Sequence, residues 1–231
     1  MTPSQDETAD WAGRTEQALL DAFLLHVAAR GWTQAAIDRA AADIGISCAD
    51  AALLCGNGPR DLAALFSRRL DGLGLDALKV LEPGQLKIRE RIFKGVEARL
   101  EAAAAYDKAA RSWTGFLALP VNVPLGLRLT WATADGIWRW AGDVATDENH
   151  YSKRAILSGI LIPALNIRLA EDKAAADAFV ANRIENVMQF EKWKAGLKKP
   201  SETAGRVAGV LARMRYGATA RTGERGDAPA G

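Results

Sequence analysis

The sequence predicts an all-α protein, and three observations carry the prediction. Apolar residues recur at helical spacing along most of the chain, capping residues and glycines sit at the ends of those stripes, and no stretch alternates apolar and polar residues around a hairpin turn. With 49% of its 231 residues hydrophobic and 25% charged, the chain has the balance of a packed protein rather than a disordered one.

The elements follow in order. Leu19, Leu20, Phe23, Leu24 and Val27 form one stripe, stopped by Gly31. Thr33 caps a second helix carrying Ile37, Ala40, Ala41 and Ile44, which Gly45 ends. Ser47 with Asp50 three residues on reads as a capping box for a short third helix to Leu54. Gly58-Pro59 opens a fourth, with Leu62, Leu65 and Phe66 inward and an end near Glu82-Pro83-Gly84.

Helices are then expected over about Leu86–Ala104, Asp107–Leu119, from Pro124 to Ala141, Asn149–Ala170 and Lys173–Lys194. Pro163 is expected to kink the helix that contains it. A last helix runs from Pro200-Ser201 to about Tyr216. Residues 1–14 and 218–231 read as flexible ends, the latter rich in Gly, Ala and charge.

The net charge of +2 is too small to argue for nucleic acid, but it is unevenly spread. From Arg183 onward ten cations face five anions, so the tail is basic and the rest mildly acidic. Cys48 and Cys55 make neither a disulfide framework nor a CxxC motif, which points to a reducing compartment. The acidic N-terminus has no signal pattern. The apolar run from Ala155 to Ile167 is broken by Ser158, Gly159, Pro163 and Asn166, short of the roughly 20 residues that span a bilayer. The expected location is cytoplasmic, with peripheral contact to the inner membrane.

Four short helices with a helix-turn-helix at the second and third, then a longer bundle, resemble the layout of TetR-type regulators. The recognition-helix candidate, Ser47 to Leu54, has no Lys, Arg, Asn or Gln. Between Gly31 and Gly58 the one cation, Arg39, stands against Asp38, Asp43 and Asp50. Phosphate neutralisation supplies non-specific DNA affinity, so this segment repels a duplex. The expectation is a structural relic and no nucleic-acid partner.

The block Trp131-Ala-Thr-Ala-Asp135-Gly-Ile-Trp138, Ala141-Gly142-Asp143, Thr146-Asp147 and Asn149-His150-Tyr151-Ser152-Lys153-Arg154 resembles the signature of the coenzyme Q biosynthesis protein nine family, in its alphaproteobacterial form. Asn182-Arg183-Ile184-Glu185-Asn186-Val187-Met188 and the opening Gly31-Trp32-Thr33 are similar to it too. The resemblance covers roughly Thr15 to Lys194. It implies a TetR-like fold without DNA reading and an accessory protein of ubiquinone biosynthesis. Such a protein presents an isoprenoid quinone intermediate from the membrane to a hydroxylase. The implied organisation is a helix-turn-helix region over 15–82, a lipid-binding helical domain over 85–196 and an amphipathic helix over 200–217. A homodimer is expected by analogy with TetR-type relatives. The alternative is a ligand-sensing TetR-type repressor.

Residue by residue, the family's partner-docking stretch falls on Asp147, Asn149, Tyr151, Lys153 and Arg154, with His150 among them. The mitochondrial form carries an aromatic pair where this chain has Glu148 and His150, so the partner hydroxylase need not be the same. Asp143, Asp147, Glu148 and His150 read as a metal cluster or as acidic capping at a helix start; the dipole favours capping, and no metal is expected. Lys153 and Arg154, a turn further on, read as solvated or docking residues.

Trp131 and Trp138, seven apart with Leu127 and Ala134 on the same face, suit either plain core or a pocket wall. The expected lipid-pocket set is Leu127, Trp131, Trp138, Ile156, Ile160 and Val187. Small residues at Ala155, Ser158, Gly159 and Ala164 leave room beside it. In the last helix Val207, Val210, Leu211 and Met214 make an apolar stripe flanked by Arg206 and Arg213. Such a helix lies on an anionic membrane or packs on its own domain. His26 reads as a buried core histidine. With no GxSxG, P-loop or dinucleotide fingerprint, the chain is expected to be no enzyme and to need no cofactor; a site of scattered carboxylates is the remaining catalytic alternative.

Overall fold

A computed structural model describes residues 5–144 and 148–198, with side chains over 11–144 and 150–189. All regular structure among the described residues is helical: α1 (Gln5–Arg30), α2 (Gln34–Asp43), α3 (Cys48–Leu54), α4 (Pro59–Ala77), α5 (Ile88–Ala104), α6 (Asp107–Ala118), α7 (Val123–Trp140), α8 (Glu148–Ala170) and α9 (Lys173–Lys198). The all-α expectation holds.

Local chemistry sets most boundaries. Gly31 and Gly45 take positive φ, 66° and 73°, which only glycine adopts cheaply after a helix. Thr33 Oγ1 accepts from the backbone N–H of Ala36, and Ser47 and Asp50 close a reciprocal capping box. After Pro59 the chain departs from the expected helix ending near Glu82-Pro83-Gly84. It stops at Ala77 and passes through two short 3-10 turns, Leu78–Val80 and Pro83–Gln85. The expected flexible stretch 1–14 is also corrected over its described part, because α1 begins at Gln5; no Gly or Pro falls between Gln5 and Gly13.

The chain divides into two compact units, residues 1–184 and 185–231. Within the first, two apolar cores form. One gathers Leu19, Leu20 and Phe23 of α1, Ile37 of α2 and Phe66 and Leu70 of α4, and it extends to Trp113 of α6 and Leu129 of α7. A boundary at residues 82–85 is therefore not a packing boundary. Trp32 lies at its centre, with ring centroids 5.0 Å from Phe23, 5.7 Å from Phe66 and 5.9 Å from Phe116. The second core joins Ile92 and Val96 of α5, Ile137 of α7, Leu157 and Leu161 of α8 and Val180 of α9. The second unit is described only over 185–198, the end of α9.

Close approach between α5 and α7 depends on Gly95. A Cβ there would meet Ile137 Cγ2 at 2.5 Å, and Ile137 is itself buried. Gly95→Ala should cost about 1–3 kcal/mol despite alanine's better helix propensity. Urea unfolding checks this; an unchanged or raised midpoint would show that the contact yields freely.

Among the described residues no helix is long and apolar enough to cross a membrane. The expected membrane residues Arg206, Val207, Val210, Leu211, Arg213 and Met214 lie outside the described residues.

Candidate functional site

Five helices of the first unit surround a cavity of about 420 Å³. Ser67 of α4 and Arg99 and Leu100 of α5 line it on one side. The stretches Trp113 to Ala118 of α6 and Val123 to Thr133 of α7 each contribute five residues, and α8 adds Leu161, Ile162, Leu165 and Asn166. The wall is graded. Ser67, Arg99, Trp113 and Thr133 are buried, while Val123, Leu127 and Ile162 remain 41%, 56% and 44% exposed at the opening. This volume lies within the roughly 300–1,000 Å³ typical of small-molecule sites.

The buried side is held by a polar knot. Arg99 Nε donates to Asp71 Oδ1 at 2.6 Å, and Thr133 Oγ1 donates to the same oxygen at 2.8 Å. Trp113 Nε1 donates to the Ala63 carbonyl at 3.1 Å, fixing its ring, and the Arg99 guanidinium lies 5.9 Å from that ring's centroid. Ser67 Oγ is buried and has no hydrogen-bond partner among the described residues. Apolar walls around a few buried polar groups suit an amphiphile and offer no nucleophile–base pair.

Of the residues expected to line a lipid pocket, Leu127 lies on the cavity wall. Trp138 packs against the second core, and Ile160 is part of it. Trp131 instead faces Tyr151, with centroids 6.3 Å apart, and Ile156 is exposed on α8. Val187 belongs to the second unit. The small residues Ala155, Ser158 and Gly159 do not open this space either, since α8 contributes its later turns. Pro163 stands inside α8 without ending it; lacking an N–H, it leaves the Gly159 carbonyl without its helical donor.

The stretch from Asp135 to Arg154 builds a different object. Arg154 is 1% exposed. Its Nε donates to Asp135 Oδ1 at 2.6 Å and one terminal nitrogen to Asp143 Oδ2 at 2.9 Å. Lys153 Nζ reaches Asp143 Oδ1 at 2.6 Å and sits 5.2 Å from the Trp138 ring centroid, while Trp138 Nε1 donates to the Lys153 carbonyl at 3.1 Å. These bonds join α7, the Gly142 turn and α8.

One expectation is corrected here. Arg154 is neither solvated nor free to dock, because its partners lie on another helix and in the preceding turn. Asp143 neutralises Lys153 and Arg154, and the cap position at the start of the helix it was expected to cap lies outside the described residues. Burial alone would raise the Asp143 carboxyl, but hydrogen bonds from those two cations hold it below the usual carboxylate value. Among the described residues no cluster of His, Cys, Asp or Glu could hold a metal. Asp147 and the side chain of Asn149 lie outside the described residues. Tyr151 remains 64% exposed, with His150 against its ring edge.

His26 is also corrected. It is only half-buried and pairs with Asp43. Cys48 is exposed and Cys55 buried, and burial foremost pushes the Cys55 thiol up to about 11, away from nucleophilic use.

The COQ9 family model matches residues 123–191, which include the Trp131–Arg154 block. The chain is similar to the mitochondrial ubiquinone biosynthesis protein COQ9 of Rattus norvegicus, at 27% identity over 86% of this chain and 66% of that protein. The Homo sapiens protein of the same name is 26% identical over 86% and 65%. That of Xenopus tropicalis is 30% identical over 75% and 57%. The chain thus spans just under two thirds of the length of these mammalian relatives.

Proposed function

We propose, from the premise that this chain is a relative of the COQ9 proteins, that it serves ubiquinone biosynthesis as a non-enzymatic carrier of an isoprenoid quinone intermediate. The family resemblance read in the Trp131–Arg154 block is borne out by the matches. The observation that carries the lipid reading is the open-mouthed cavity of about 420 Å³, apolar at its opening and lined by α4 to α8. A polyprenyl tail confines the reacting ring to the bilayer. Each CH₂ taken into an apolar wall recovers roughly 0.8 kcal/mol of the transfer cost, so partial enclosure offsets withdrawal from lipid.

Presentation to a hydroxylase is part of the same proposal. Its docking face would use the exposed Tyr151 and the half-exposed Lys153, while Arg154 holds that face together from beneath. Peripheral membrane contact, on the cytoplasmic side of the inner membrane, rests on the basic amphipathic pattern of Arg206, Val207, Val210, Leu211, Arg213 and Met214. A TetR-like origin for α1 to α4 fits α2 and α3 joined by the short turn Ile44–Ser47. The absence of cations on α3 speaks against DNA reading.

The test is transfer. Full-length chain is mixed with anionic vesicles containing a prenylated quinone and then separated from them by size. Quinone travelling with the protein fraction is the expected result. Protein that emerges free of quinone at all ratios would refute the carrier role.

A further inference from the structure

The turn between α6 and α7 has its polarity reversed. Leu119, Val121 and Val123 are 49%, 67% and 41% exposed, and Leu127 follows at 56% one turn into α7. Asn122, the one polar side chain from Phe116 to Leu127, is instead buried and donates through Nδ2 to the Phe116 carbonyl at 3.0 Å. The backbone closes inward in the same way. The Leu119 carbonyl accepts from the N–H groups of Asn122 and Val123 at 2.8 and 3.1 Å, and the Asn122 carbonyl accepts from Gly126 at 2.9 Å. Arg60 of α4 donates to the Val121 carbonyl at 2.7 Å, which brings a cation to the turn. Pro120 and Pro124 have no N–H to satisfy. From Lys108 to Ala134 the chain carries Lys108, Arg111 and Arg128 and no Asp or Glu.

We infer that this turn is a second membrane contact: Leu119, Val121 and Val123 enter the apolar edge of an anionic bilayer and set the cavity opening against it. Three arguments favour a bilayer over water or a protein partner. Turns that face water carry polar residues outward, and apolar side chains exposed together around a buried asparagine reverse that rule. Backbone groups that enter hydrocarbon must be satisfied within the protein, which the inward carbonyl bonds and the two prolines achieve. A protein partner, which brings donors and acceptors of its own, makes no such demand. Anionic headgroups repel carboxylates, and this span has none, while the exposed Arg128 and Arg60 suit lipid phosphates. The surface is also continuous with the cavity, because Val123 and Leu127 belong to the opening. The inference rests on the proposed function's premise that the chain meets a membrane, and adds where. It uses none of the stretch from Arg206 to Met214 and none of the docking face at Tyr151 and Lys153.

The test floats the full-length chain with vesicles of phosphatidylcholine, alone or mixed with phosphatidylglycerol. Val121→Glu should lower partition onto the mixed vesicles at least roughly tenfold, since a buried valine is lost and a charge gained. Its melting temperature should not move, because Val121 is a surface side chain. Arg128→Gln should weaken binding to the mixed vesicles by roughly three- to fivefold and leave binding to phosphatidylcholine alone unchanged. Val121→Trp is the opposite variant. It should bind tighter than the parent, and brominated lipid should quench a larger share of its tryptophan emission. Val121→Glu that floats like the parent, or Val121→Trp that gains no quenching, would overturn the contact. Stronger flotation of Val121→Glu would show that another part of the chain covers the turn, and would overturn it too. A parent chain that floats with neither vesicle would remove the membrane premise itself, and the role of the turn with it.

Discussion

Arg154→Met should lower the stability of the chain by about 3–5 kcal/mol, the usual loss when one member of a buried charge cluster is removed. The side chain is 2% exposed and lies between two carboxylates, Asp135 at 2.6 Å and Asp143 at 2.9 Å. Without it, among the described residues Asp143 keeps Lys153 and Asp135 keeps the exposed Arg139. The native cluster has a definite pH signature. Asp143 is held below its ordinary value in the folded chain, so its contribution is complete above the unfolded carboxylate pKa of about 3.9 and fades as pH falls through the lower folded value. In Arg154→Met the repelling carboxylates should instead take up a proton more readily, so lowering the pH to about 4 should recover part of the loss. Urea unfolding at pH 7 and pH 4 reads both effects. A variant as stable as the parent at pH 7 would show that the knot joining α7 to α8 is energetically idle. The same logic rules out charge reversal at Arg154 as a docking probe, and Tyr151→Ala is the better choice.

The second large effect is expected from filling the cavity rather than breaking the fold. Gly115 sits in the last turn of α6 on the cavity wall, and an added Cβ there meets nothing within 4 Å. Gly115→Trp places an indole where a ligand must pass, while replacing the poorest non-proline helix former. Stability should hold or rise by a few tenths of a kcal/mol. Bound lipid should fall at least roughly tenfold, since a ligand that loses even two or three buried CH₂ contacts forfeits more than 1.4 kcal/mol. Circular dichroism melting and extraction of co-purified lipid together check it. A stable variant that still carries its full complement of lipid would show that the ligand lies elsewhere.

These two variants also mark where the sequence was legible. Helix boundaries at Gly31, Thr33, Ser47–Asp50 and Gly58–Pro59 came out as read, because caps and positive-φ glycines act within a few residues. Arg154 was misread because its partners are 19 and 11 residues away. A basic pair one turn into a helix looks solvated unless the returning helix is known. The cavity was only half visible. The stripe through Leu127, Trp131, Ala134 and Trp138 begins at the opening but runs on past Tyr151 and into the second core, since a helix face several turns long meets more than one neighbour.

Ser67 and Arg99 were passed over, yet each left a trace. Ser67 interrupts the small and apolar face Ala63, Leu70, Gly74 of α4, and Arg99 falls on the same face of α5 as Ile92 and Val96. A polar residue inside an inward stripe is the signal that finds such sites, because burial without a partner is costly. The extra turns between Ala77 and Ile88 and the Asp71–Arg99 pair depend on α4 meeting α5, which no local pattern encodes.

The central claim is that the space bounded by α4 to α8 exists to be filled by lipid. Mass spectrometry of solvent extracts from gently purified full-length chain tests it most directly. A prenylated quinone or quinone precursor at a sizeable fraction of the protein, absent from Gly115→Trp, is the predicted result. Extracts free of prenyl compounds, or the same lipid recovered equally from both proteins, would contradict it.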